Sequence, residues 1–471
     1  MRPRLANALA QFRAFTLCRL EDRFSSLLPR SLFVKAANGS NSRDSIYTQS
    51  RTFWCFLWQC LHVGTAGREV VRQLQALWEL LGAEPISPED GAYCIARQRL
   101  PETLFTRALH ATAAACEQIA TAPEFLAGRP VKLVDGTIIT APDTPQNQKA
   151  YPQVSTMRKG CSFPIVRVVA FFSLLSGAIL AAGCGSHYVS EFRLFYDLLA
   201  HLAKGDIVIA DRGFGNYPML ALLHSLNIDL ISRSSRKIDG RRRRKRLGRN
   251  DWLVNWNKSP NRSAVIPNDQ FDRLPAELTV RVVRGSLHKK GFRVRQSTVV
   301  TTLLDAQKYP AADILRAYVR RWRMEMCLDD IKTTLGMALL TCKSPAMLRK
   351  EILMHLIAHN LIRYTMACAA AQHDADLERL SFKGTVDALR QFTHAMAQAR
   401  SKKKRRDLWN YLLRILVRDL VPDRPGRVEP RAIKRRSKKY DRLNVPRHQY
   451  KDRPKRNERR RLSRLRRLGL C

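Results

Sequence analysis

Residues 207–214 read Ile-Val-Ile-Ala-Asp-Arg-Gly-Phe, four apolar residues ending on Asp211 and followed at once by a base and a glycine. A short, largely β-branched run bounded by polar residues predicts a buried strand, with Asp211 just past its C-terminal end. Upstream, residues 131–137 repeat the pattern: Val-Lys-Leu-Val leads into Asp135-Gly136-Thr137, which places a second acid at or near a strand end. Between the two acids, residues 165–173 and 178–182 read as strands joined at Ser176-Gly177, and 191–203 as a helix. A helix around 217–226 and a strand over 229–233 follow. Three strands, then alternating helix and strand, predict an α/β fold: a mixed sheet flanked by helices in which the two acids can be neighbours.

A third acid arrives much later. Read as one helix, the stretch from Tyr318 to Lys332 brings Tyr318, Arg321, Glu325 and Lys332 to one narrow face, because their spacings return near whole turns. Burying three charged side chains on one stripe is costly unless they meet a charged ligand, and a metal-bound nucleic-acid backbone would serve. Taken singly, an Arg or Lys here reads better as a solvated ion-pair residue; the shared face with Glu325 reverses that for the set.

Composition points the same way. The chain has 83 Lys and Arg against 40 Asp and Glu, a formal charge of +43 over 471 residues, which attracts polyanions with an affinity that falls as salt rises. A hydrophobic content of 45% and this length separate it from a purely basic binder and allow two or more domains with cores. Eleven cysteines without a C-x-x-C pair predict neither a zinc ribbon nor a disulfide framework, but reduced, mostly buried thiols. Charges recur every few residues after Arg2 and Arg4, which does not fit a signal peptide, so no export is expected. The apolar run 168–182 is too short, and too broken at Ser173, Ser176 and Gly177, to span a bilayer.

The chain divides by pattern. Residues 1–125 read as a helical N-terminal region, expected to bind DNA, with a polar gap over 37–50. Within it, Ser87-Pro88-Glu89-Asp90 starts a helix that meets another at Pro101, so Arg97 and Arg99 either dock on DNA or are solvated on an ordinary helical hairpin. Residues 126–235 and 305–370 form the two parts of the core, separated by a β-rich basic insertion over 236–304 that carries the run 241–246 and strands near 278–283 and 292–301. Residues 371–471 are helical and then basic, with runs at 402–406, 434–439 and 453–467, and this tail is expected to stay disordered until it meets phosphate.

Several residues admit two readings. Trp252 and Trp256 in the insertion either pack or stack on an unpaired base. Arg158-Lys159-Gly160 is a phosphate-contacting loop or a solvated turn. Among neighbouring acids, which include Asp143 and Asp330, Asp206 is expected to cap or precede its strand, and Asp329 to pair with a base on its own helix rather than bind metal. His355 and His359 have metal-ligand spacing but apolar surroundings, so they read as core or helix-surface histidines rather than zinc ligands.

Tyr-x2-Arg-x3-Glu-x6-Lys at Tyr318, Arg321, Glu325 and Lys332, downstream of Asp135 in Asp-Gly-Thr and Asp211 in Asp-Arg-Gly-Phe, resembles the signature of the DDE transposases of insertion-sequence family four. Phe163-Pro164 and Ser190-Glu191 resemble that family's usual surroundings, and the likeness spans about residues 85 to 365. The resemblance implies a ribonuclease-H-like core. It also implies that Asp135, Asp211 and Glu325 are catalytic and hold two Mg²⁺ ions roughly 4 Å apart, Asp135 bridging them, with Mn²⁺ able to substitute. Tyr318, Arg321 and Lys332 would contact transposon-end phosphates, Arg321 in bidentate fashion and Lys332 as a mobile point charge. Activity would be cut-and-paste transposition: cleavage at terminal inverted repeats of double-stranded DNA and strand transfer into target DNA. A homodimer bridging paired ends, in the bacterial cytoplasm and associated with the nucleoid, is implied with it. Alternatives are a domesticated DNA-binding protein without catalysis, a basic structural protein of nucleic-acid assemblies, and a ribonuclease-H-like host nuclease that cuts without joining.

Overall fold

The computed structural model describes residues 24, 27–33, 46–80, 85–120, 125–234, 243–286, 296–399, 401–422, 445–446, 449 and 453–469. Its centre is one nine-stranded mixed sheet, ordered β3-β2-β1-β4-β5-β9-β8-β7-β6. The strands are β1 (Val131–Thr140), β2 (Ile165–Ser173), β3 (Ile179–Ser186), β4 (Ile207–Ala210), β5 (Asp229–Arg233), β6 (Arg243–Gly248), β7 (Asp251–Asn257), β8 (Glu277–Ser286) and β9 (Gln296–Thr301). The strands of 236–304 continue this same sheet, because β9 pairs antiparallel with β5 and carries β8, β7 and β6 outward.

Helices precede and cover the sheet: α1 (Gln49–Leu61), α2 (Gly67–Leu80), α3 (Gly91–Arg99), α4 (Glu102–Ile119), α5 (Pro145–Ala150), α6 (Glu191–Asp197), α7 (Tyr217–Ser225), α8 (Asn268–Arg273), α9 (Ala311–Arg320), α10 (Trp322–Asp329), α11 (Pro345–His373), α12 (Phe382–Gln398), α13 (Lys402–Leu416) and α14 (Arg453–Arg467). None is long and apolar enough to cross a membrane. Strand side chains alternate between two cores, as a two-residue period requires. Leu133, Ile207, Ile209 and Ile231 face α1, α4 and α11, whereas Val134, Val208, Ala210 and Leu230 face α6, α7 and the insertion's Trp252 and Trp256.

α11 grips the β2–β3 turn. Asn360 accepts from the Ile179 N–H at 2.7 Å and donates to its carbonyl at 3.0 Å, and Arg363 donates twice to the Ser176 carbonyl, at 2.8 and 2.6 Å. Gly177 sits at φ +71°, and a Cβ there would come within 2.8 Å of the Arg363 guanidinium, so glycine is required twice over.

Strands β2 and β3 and the turn at Ser176-Gly177 agree with the sequence reading; four other expectations do not. β1 continues through Asp135 to Thr140 instead of ending near the acid, because β2 pairs with it over Lys132–Thr140. The helix expected over 191–203 stops at Asp197 and yields to a 3-10 turn, Leu199–His201. Arg97 does not reach out to DNA: it lies over the Phe56 and Tyr93 rings at 5.0 and 4.9 Å and donates to Gln59 at 3.0 Å. Two basic runs of the tail expected to be disordered are helical: 402–406 opens α13 and 453–467 is α14. The run 434–439, the polar gap over 37–45, the beginning of the basic run at 241–242 and the start of the strand expected from 292 lie outside the described residues.

Candidate active site

Pairing between β1 and β4 sets the first two acids side by side. The parallel ladder ends at Val134↔Ala210, so Asp135 and Asp211 are the next residue on each strand. Past that point β1 stays paired with β2 and on its other edge meets only the Thr140↔Leu339 bridge, so the β1 ladder no longer flanks the carboxyl end of β4, the position at which open α/β sheets bind ligands. Asp211 is exposed there. Its backbone is fixed: the carbonyl accepts from the Ser232 hydroxyl at 2.8 Å and from the Phe214 N–H at 3.0 Å, closing a 3-10 turn over Arg212–Phe214.

Glu325 comes from the helical stretch, which is not the single regular helix the sequence suggested. The turn tightens at Arg321, where Arg321 N–H bonds to Tyr318 O at 3.1 Å and Met324 N–H to Arg321 O at 3.0 Å. It loosens again into a π turn over Asp330–Thr334 that carries Lys332. Such π turns are rare and concentrate at functional sites. The stretch is tied down on both sides. Arg323 donates to the Leu174 carbonyl at 2.9 Å and pairs with Glu378 at 2.6 Å, and Leu340 N–H bonds back to the Thr140 carbonyl of β1 at 3.1 Å.

Arg321 links the acids. Its Nη2 donates to Glu325 Oε1 at 2.6 Å and its Nη1 lies 4.0 Å from Asp135 Oδ2. Lys332 reaches the same strand from the π turn, with Nζ 3.2 Å from the Thr137 hydroxyl. Tyr318 is 8% exposed, beside Arg321 and Asp211, and burial pushes its phenol above the usual range. The four residues of the signature therefore meet at one corner, with Tyr318 its most enclosed member.

Burial pushes the Asp135 carboxyl up to about 6; the Gly136 N–H and Arg321 pull it down, while Glu191 and Glu325 raise it further. Glu191, at the start of α6, was not singled out as a site residue by the sequence reading. The available signal was Gly136 itself, since a glycine inside a strand marks a close approach, and a Cβ there would lie 2.7 Å from Glu191 Oε1.

The donor set is all carboxylate oxygen, which suits a hard divalent ion and not a thiolate- or imidazole-seeking one. Among the described residues no three His, Cys, Asp or Glu side chains already converge on one point, and the positive charge between Asp135 and Glu325 is Arg321. The acids thus fit a divalent ion in chemistry, with a protein cation bridging two of them.

The remaining candidates separate clearly. Arg158 and Lys159 are exposed on a loop shaped by Gln153, whose amide donates to the Met157 and Arg158 carbonyls at 3.0 and 2.9 Å and whose carbonyl accepts from Gly160 N–H at 2.9 Å. No hydrogen bond or ion pair among the described residues joins them to the acids. Asp206 immediately precedes β4, where it accepts from the Ala203 N–H at 2.6 Å and pairs with Lys132 at 2.5 Å. Asp143 accepts from the Gln148 amide at 2.9 Å, and Asp329 is exposed with no ion pair among the described residues. His355 and His359 are buried in the core, as one of the two sequence readings had it, and burial lowers both imidazoles, His359 to about 3. Trp252 and Trp256, on β7 of the insertion, are buried in the core on the α6–α7 side of the sheet, as the packing reading expects.

Comparison with known proteins accords with this geometry. Residues 126–361, which hold all three acids, match the family model described as Transposase DDE domain. Transposase InsG for insertion sequence element IS4, from Escherichia coli (strain K12), is 27% identical over 399 residues, 82% of this chain and 85% of that protein. A solved structure, the piggyBac transposase synaptic complex with hairpin DNA, aligns with TM-score 0.40 and 10% identity over 86% of this chain and 85% of that one. With the family match extending over half of the chain, the protein belongs to the DDE transposases, of the insertion-sequence-four type.

Proposed function

We propose that this cut-and-paste transposase works at the corner flanked by Asp135, Asp211 and Glu325, as a ribonuclease-H-like enzyme using two Mg²⁺ ions, with Mn²⁺ as a substitute. The observation that carries the reading is the register: β1 and β4 leave their shared ladder at Val134↔Ala210, one residue before both acids, and Arg321 ties Glu325 to the same place. DDE transposases use divalent ions. Bound there, such ions would supply an activated oxygen nucleophile and neutralise charge on the departing one. Asp135, shared by both neighbours, would bridge, and Asp211 and Glu325 would each hold one side.

Around the acids, Arg321 would exchange a carboxylate for a phosphate of the transposon end, since its planar fork fits either anion equally. Lys332 and the Tyr318 hydroxyl would position the same strand, and Arg158 and Lys159 would add contacts further along it. In this reading residues 1–125 recognise double-stranded DNA at the terminal repeats, and the insertion over 236–304 interrupts a core made of 126–235 and 305–370. The basic region 371–471 adds sequence-independent DNA affinity. Two copies bridge paired ends, and a charge of +43 keeps the protein on nucleoid DNA.

The test is cleavage of duplexes carrying the element's own ends, with Mg²⁺, Mn²⁺ or chelator. The native chain should cut only with a divalent ion, and Asp211→Ala should lower the rate by about 10³-fold or more while DNA binding persists. Full cutting by Asp211→Ala would remove that residue from the reaction; cutting by the native chain without joining of ends would mark a nuclease.

A further inference from the structure

We infer that Tyr188, beside the loop that carries Arg158 and Lys159, is a stacking platform for an unpaired nucleotide of a DNA strand; the inference extends the reading of that loop as a phosphate contact. An exposed tyrosine ordinarily packs its ring and leaves its hydroxyl in water. Tyr188 does the reverse. Its hydroxyl donates to the Gln153 carbonyl at 3.1 Å, while the residue, 58% exposed, is the most exposed Phe, Trp or Tyr among the described residues.

The ring is held as well as exposed. His187 stands edge to face against it with centroids 5.7 Å apart, Arg167 donates to the Val189 carbonyl at 2.6 Å, and Ser190 caps α6 by accepting from the Arg193 N–H at 3.1 Å. Gln153, which anchors the hydroxyl, also shapes the loop, its side-chain carbonyl accepting from the Gly160 and Ser162 N–H groups at 2.9 and 3.3 Å. Gln153, Ser155, Thr156, Met157, Arg158 and Lys159 line a surface pocket of about 430 Å³ there. Register puts this platform toward the end of the sheet at which the acids lie: β1 runs parallel to β4, Thr140 at its far end pairs with Ile165 just after the loop, and Ser186, shortly before Tyr188, pairs with Val166. From Asp135 to Thr140 along β1 is roughly 17 Å, and from β1 across β2 to β3 roughly 10 Å, a span of about five or six base pairs of duplex. Within a duplex each base face is covered by its neighbours, so a protein ring finds a face to stack on only where a base is unpaired. Arg158 and Lys159, both exposed, supply the phosphate contacts such a nucleotide needs.

The experiment measures binding of the full-length chain to a fluorescent oligothymidine single strand and to a duplex of equal length, by anisotropy and in chelator so that nothing is cut, with melting curves as a check on folding. Tyr188→Ala should weaken single-strand binding about tenfold and duplex binding about twofold or less, whereas Tyr188→Phe, which keeps the ring, should retain most of the single-strand affinity. Equal losses on both DNAs, no loss on either, a Tyr188→Phe variant as weak as Tyr188→Ala, or a native chain that does not bind the single strand would each overturn the inference. If Arg158→Ala and Lys159→Ala leave the salt slope unchanged on both DNAs while Tyr188→Ala still loses the single strand selectively, the phosphate reading of the loop fails and the platform stands.

Discussion

Two aspartate–arginine pairs in one sheet show opposite uses of buried charge. In the insertion, Arg281 is 0% exposed, yet its Nε and Nη2 lie 2.8 and 2.5 Å from the two Asp251 oxygens, and its Nη1 reaches the Leu303, Asp305 and Tyr309 carbonyls at 3.4, 3.3 and 2.6 Å. Every donor group of that guanidinium is used, and the pair locks β7 and β8 to the loop that launches α9. At the other end of the sheet, Arg321 reaches Asp135 only at 4.0 Å and is shared with Glu325. The first region is a closed, bidentate pair; in the second one guanidinium is divided between two carboxylates. The closed pair serves structure, and the shared guanidinium marks the corner at which the proposed function places the reaction.

Breaking the complete pair should have the largest effect on stability. Arg281→Met strands a buried Asp251 and is expected to cost about 3–5 kcal/mol in urea unfolding, whereas adding Asp251→Leu should recover most of the loss. A loss no greater for Arg281→Met than for the double variant would erase the contrast between the regions.

The incomplete site should respond with the opposite sign. A carboxyl raised from 3.8 to about 6 binds its proton more tightly folded than unfolded, so stability falls as pH climbs from about 4 to about 6 and stays lower above. Asp135→Asn removes that cost and should raise stability by about 1–2 kcal/mol at pH 7, with no gain below pH 4, even as it abolishes cleavage; its side chain is 22% exposed, which moderates the figure. Thermal melts at the two pH values decide it. The smallest change is expected at the exposed loop: Arg158→Ala and Lys159→Ala should each flatten the salt dependence of DNA binding by roughly one phosphate contact. An unchanged slope would make that loop a solvated turn.

Much of this site was legible in the residues. β4 and the first half of β1 show themselves as short β-branched runs, and each hands over to an acid; Glu325 shows itself through its spacing from Arg321 and Lys332. What escaped did so for reasons of partnership. β1 runs past Asp135 because β2 supplies a ladder on its other edge, and Arg97 is withdrawn because Phe56, Tyr93 and Gln59 offer it rings and an amide. The packing of Glu191 against Gly136 escaped because the two belong to a helix and a strand far apart in the chain.

Local pattern therefore determined the α/β class, the order of strands and acids, the basic character and the family signature, since each depends on residues close in the chain or on totals. Tertiary structure alone decided that Asp135 and Asp211 leave one ladder together, that Arg321 stands between Asp135 and Glu325, and that Glu191 faces Gly136. Those are relations of register and distance between separate elements, and a carboxylate's charge balance depends on what packing brings within a few ångströms of it, which no single stretch of chain contains.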